Sequence, residues 1–109
     1  MFQLFGFSSR SQINELPQLL SADPDARVID VRTEAEYRSG HIPGSISVPL
    51  GRIELVKVLF PARSTRLLAY CRSGARSAQA VFQLHQMGYA NVENLGGLND
   101  WDGELETGN

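Results

Sequence analysis

Apolar residues in this chain come in short bursts, some at helical and some at extended spacing, divided by Gly, Pro, Asp and Ser. Ile13, Leu16, Leu19 and Leu20 fall near helical spacing and predict a first helix over residues 11–20, capped by Ser11. Pro17 inside that pattern requires a late start, a bend, or a place in the first turn. A turn cluster at 21–25 leads to the β-branched run of 27–31, read as a buried strand. Thr33 and Glu36 have the spacing of a capping box for a short helix that Gly40 ends. A turn at 41–44 and an extended piece at 45–48 follow, stopped by Pro49. Residues 52–60 suit either period and are read as a helix before Pro61. Then come a strand at 66–70, a helix at 77–87 closed by Gly88, and a strand at 91–95. Gly96 and Gly97 read as a flexible turn, 98–101 as a helical turn, and 104–109 as a frayed polar tail. Strands alternating with helices predict an α/β fold, a mostly parallel sheet with helices on both faces. The chain divides into an N-terminal extension at 1–10, one domain at 11–103 and the tail.

Charge narrows the function. A net charge of −2 lacks the basic excess that nucleic-acid binding needs. The apolar start contains Phe2, Phe5 and Phe7, has no basic leader, and is broken by Gln3 and Gly6. It is expected to be mature sequence packing on the domain, not a signal peptide. No apolar stretch approaches the ~20 residues of a membrane helix, so no membrane partner is expected. Cys71 is the only cysteine, so no internal disulfide forms, which fits a reducing, cytoplasmic setting.

Cys71 opens the run Cys71-Arg72-Ser73-Gly74-Ala75-Arg76-Ser77, between a predicted strand and a predicted helix. Ligands in such sheets bind at the carboxyl ends of strands. Backbone N–H groups of a tight loop, the positive end of a helix, and Arg72 with Arg76 all favour a thiolate there. No acidic residue lies between Tyr70 and Val92 to offset those two charges. Gly74 permits a sharp bend, and Ala75 leaves the mouth open. The alternative is an inert buried cysteine, but that needs neither glycine nor two arginines beside it. His41 and His85 show no metal-ligand spacing with Cys71, so no metal or cofactor is expected. His41 is read as a turn-stabilising residue, His85 as packed or half exposed, and Trp101, Tyr70 and Tyr89 as packing. Asp30 is expected to bond loop N–H groups, and Arg32 to pair with Glu36.

Several blocks occur together in order: Asp30-Val31-Arg32 with Glu36-Tyr37, then Gly40-His41-Ile42-Pro43-Gly44-Ser45, the Cys71 loop, Gly88-Tyr89, and Leu95-Gly96-Gly97 with Trp101. In these the chain resembles the rhodanese superfamily, in its small single-domain sulfurtransferase form. The resemblance implies a central parallel sheet and sulfur transfer through a Cys71 persulfide, from a donor to a thiophilic acceptor. Loops with arginines at the positions of Arg72 and Arg76 are similar to those of thiosulfate-using members. On that reading Arg72 and Arg76 bind the donor, and Ser73, Gly74, Ala75, Arg76 and Ser77 supply N–H groups around the sulfur. Cyanide, glutathione or thioredoxin would accept the sulfur, and the chain would act as a monomer or weak dimer. Four residues separate Cys71 from Arg76, whereas phosphatases of the fold use five to hold a phosphate-sized oxyanion. Phosphatase or arsenate reductase activity is the lesser alternative. A persulfide carrier that binds a partner without free thiosulfate turnover is the other.

Overall fold

The structure, a computed structural model, describes residues 11–109. Expectations for the extension at 1–10, including the packing of Phe2, Phe5 and Phe7, lie outside the described residues. Among the described residues, four strands form one parallel sheet in the order β2-β1-β3-β4. They are β1 at Arg27–Asp30, β2 at Ile46–Ser47, β3 at Leu67–Cys71 and β4 at Val92–Gly97. Helix α1 (Leu16–Ala22) precedes β1, and α2 (Glu34–Ser39), α3 (Val56–Leu59) and α4 (Ala75–Gln86) fill the crossovers. No helix among the described residues is long and apolar enough to cross a membrane.

Strand alternation divides the apolar residues between two cores. Leu67, Ala69 and Cys71 face one core with Ile29, Val31, Val56, Ala80 and Leu84. Leu68 and Tyr70 face the other, with Ile13, Leu16, Val28 and Leu95. The same alternation that buries β3 therefore aims Cys71 toward the α4 side of the sheet. A bulge in β4 follows from the register: Ala69 pairs with Asn94, but Tyr70 pairs with Gly96. Leu95 is the extra residue, and the shift brings Gly96 and Gly97 beside the last residues of β3.

Several local expectations change. Ser11 caps no helix: its hydroxyl donates to the Leu95 carbonyl at 2.9 Å and accepts from the Gly97 N–H at 3.1 Å. A 3-10 turn at Ile13–Glu15 precedes α1, and Pro17 sits in the first turn of α1, where its missing donor costs nothing. Residues expected as one helix at 52–60 form a 3-10 stretch, Leu50–Leu55, kinked at Arg52, and then the single turn of α3. Buried Ile53 and Val56 are three apart, which matches the tighter period. Gly96 and Gly97 belong to β4, not to a flexible turn. The tail is not frayed, because Glu106 forms a two-hydrogen-bond bridge with His41 and the Gly108 N–H reaches the Arg38 carbonyl at 2.8 Å. It satisfies backbone groups that the end of α2 leaves open.

Candidate active site

Cys71 ends β3, and α4 begins four residues later, two residues earlier than the sequence predicts. Gly74 makes the early start possible. Its φ of 103° is one that side-chain-bearing residues rarely adopt, and it turns the chain straight into the helix. Arg76 and Ser77 thus lie in the first turn of α4, where N–H groups have no intrahelical partner. Gly97 packs against the other side of the loop. A Cβ there would lie 2.6 Å from Ser73 Cα and closer still to the Arg72 carbonyl.

The sulfur is enclosed and hydrogen-bonded. Cys71 is 1% exposed. Gly74 N–H donates to Sγ at 3.0 Å and Ser77 N–H at 3.4 Å, with Ser77 Oγ at 3.5 Å. Burial pushes the thiol up, but hydrogen bonds from the Ser77 hydroxyl and from the N–H groups of Ser77, Gly74 and Ser73 outweigh it. The net direction is down from the ordinary thiol value, toward the thiolate. Among the described residues, the N–H groups of Ala75 and Arg76 find no protein acceptor, so they remain free at the mouth of the loop.

The arginines are not equivalent. Arg72 is exposed and forms no ion pair among the described residues. Arg76 is paired twice with Glu36 of α2, Nη1 to Oε1 at 2.8 Å and Nη2 to Oε2 at 3.1 Å. The two unopposed charges read from the sequence are therefore one free charge and one compensated charge. Sequence reasoning missed Glu36 because its partner lies 40 residues away in the chain. The Arg76 hydrogen bond, opposed by burial and helped by Thr33, holds the Glu36 carboxyl at about 2. Thr33 and Glu36 complete the predicted capping box, so the carboxylate that caps α2 also anchors the first turn of α4.

Arg32 does not pair with Glu36. It pairs with Asp30 at 2.7 Å, and its other reach is the Gly40 carbonyl, also at 2.7 Å. Both side chains are buried and brace the chain between β1 and the end of α2. His41 is buried too: it stacks on Tyr37 with ring centroids 3.7 Å apart, and Nδ1 lies 2.8 Å from the Tyr37 carbonyl. That is the turn-stabilising place expected for it. Tyr70 and Tyr89 are fully buried with hydrogen-bonded hydroxyls, while Trp101 is half buried and His85 is exposed.

Fold and site together define a small α/β domain built around one stabilised cysteine at a strand-to-helix turn. The chain belongs to the family of the Rhodanese-like domain, whose model matches residues 12–104. It is 40% identical over 73 residues to the thiosulfate sulfurtransferase PspE of Escherichia coli K12, spanning 66% of this chain and 70% of that protein. It is 40% identical over 87 residues to a sulfurtransferase of Allochromatium vinosum, spanning 79% and 80%. Among solved structures it is similar to a rhodanese with anions from E. coli, with a TM-score of 0.71 and 36% identity over 76% of this chain and 99% of that one.

Proposed function

We propose that the chain is a sulfurtransferase that carries the outer sulfur of thiosulfate on Cys71 to a thiophilic acceptor, with residues 11–103 as the working unit. The observation that supports this most is the convergence of the Gly74 and Ser77 donors on Cys71 Sγ beneath α4. The thiolate attacks the outer sulfur of thiosulfate. The S–S bond of the donor breaks, sulfite leaves with its electron pair, and Cys71 becomes a persulfide whose terminal sulfur carries the charge. In this reading the unpartnered N–H groups of Ala75 and Arg76 receive that terminal sulfur. Arg72 and Arg76 draw the donor, and Ser73 completes the ring of donors at its rim. A nucleophile such as cyanide, glutathione or thioredoxin then attacks the terminal sulfur, and the thiolate returns. We place this chemistry in the cytoplasm, where a lone cysteine stays reduced between cycles, and in a monomer or weak dimer.

One observation favours a second reading. Glu36 compensates Arg76, which weakens the pull on a doubly charged inorganic donor. A persulfide carrier loaded by a partner enzyme would need less of that pull. Intact mass after incubation with thiosulfate decides. A gain of about 32 Da, removed by cyanide and absent in Cys71→Ser, is the expected result. No gain with thiosulfate, but a gain from a cysteine-derived persulfide donor, would favour the carrier. Phosphate-ester hydrolysis that depends on Cys71 would overturn both.

A further inference from the structure

Ser77 is fully buried, and its hydroxyl has three acceptors in reach but only one proton to give. Asn94 Oδ1 lies at 2.6 Å, the Gly74 carbonyl at 3.2 Å and Cys71 Sγ at 3.5 Å. The orientation of the Asn94 amide is fixed by two backbone groups of opposite kind. Its Oδ1 accepts from the Gly96 N–H at 2.9 Å, and its Nδ2 donates to the Gly74 carbonyl at 3.1 Å. Reversing it would set donor against donor and acceptor against acceptor. While the sulfur is uncharged, the Ser77 proton is therefore held by Asn94, and Ser77 turns a lone pair toward the sulfur. That arrangement suits a neutral thiol or a persulfide, whose Sγ carries little charge. A thiolate needs the proton turned the other way.

We infer that Asn94 is a positioning residue that acts on Cys71 through Ser77, with the Ser77 hydroxyl turning between Asn94 and Sγ as the sulfur gains and loses charge. The inference rests on the sulfur-transfer reading of this site and adds how its nucleophile is tuned. By competing for the one proton, Asn94 keeps the thiolate more basic than the loop alone would, and a more basic thiolate is the better nucleophile. Among the described residues, the charged groups on the elements that meet at this edge of the sheet are Arg72 on the loop, Arg76 with Glu36, and the Asp30–Arg32 pair at the end of β1. Glu93, the one ionisable residue of β4, is paired with Arg66. None of these is altered by a change at Asn94.

The test is the pH midpoint of Cys71 alkylation by iodoacetamide in a double-mutant cycle. Asn94→Ala leaves only the neutral Gly74 carbonyl to compete with the charged thiolate for the Ser77 proton, and is expected to lower the midpoint by about one pH unit, the worth of one charge-assisted hydrogen bond. In the Ser77→Ala background the same change should leave the midpoint where it is. A shift of equal size in both backgrounds, or none in either, overturns the inference, because loop loosening needs no Ser77. In the unmodified protein, the buried Ser77 hydroxyl proton should change its NMR shift through the alkylation midpoint, and a constant shift would equally overturn it. Persulfide loading is measured separately by mass. Failure to load with thiosulfate would count against the sulfur-transfer reading, and an unmoved midpoint against the role of Asn94.

Discussion

At the scale of single residues, Glu36 reaches Arg76 from another element and sets how much of its charge the sulfur feels. Arg76→Ala removes a positive charge near the sulfur and leaves the Glu36 carboxylate without a partner. The alkylation midpoint of Cys71 should rise by about half a pH unit, and the KM for an anionic donor should rise with it. Glu36→Gln should move the midpoint the opposite way, since it releases the guanidinium charge. If both variants move it in the same direction, Glu36 serves only to hold the loop in shape. Cys71 was legible from the sequence because Gly74, Arg76 and Ser77 follow it in one loop, but nothing local connects Glu36 with Arg76, 40 residues later, or Asn94 with Ser77, 17 residues earlier.

At the scale of elements, the order of strands and helices followed from alternating periods, and the Thr33–Glu36 box followed from its spacing. Boundaries went astray where distant backbone decides them. The two glycines after Leu95 looked like a turn, since glycine is a frequent turn residue. Their actual role is close approach: the bulge in β4 sets Gly97 opposite Cys71, against the backbone of Arg72 and Ser73. Gly97 has an ordinary extended conformation, so space and not φ requires glycine there. Gly97→Ala would press a methyl group into backbone, which cannot swing aside as a side chain can. A loss of about 1–3 kcal/mol in urea unfolding is expected, together with loss of persulfide loading as the donor loop moves away from Sγ. Retained loading at wild-type stability would mean that β4 gives way there and does not brace the loop.

At the scale of the whole molecule, the site sits where separate elements meet at one edge of the sheet. β3 supplies the sulfur, α4 its donors, β4 the wall behind the loop, and α2 the carboxylate that holds Arg76. The sheet itself could be anticipated, since parallel strands buried on both faces follow from the pattern of short apolar runs. The joining of α2 to α4 could not, and it makes stability depend on acid in a defined window. The Glu36 carboxyl is depressed from 4.5 to about 2, chiefly by its bond to Arg76. A carboxylate with a lowered folded-state pKa stabilises fully above its unfolded value, and that contribution fades as pH falls toward the folded one. The urea midpoint of the wild type should therefore hold between pH 7 and 5 as far as Glu36 is concerned, then fall between about 4.5 and 2. Glu36→Gln should start lower at pH 7, because it loses the ion pair with Arg76. It should then decline less steeply, and the two curves should draw together near pH 2. Curves that stay parallel across that range would show that the link between α2 and α4 contributes nothing that acid can remove.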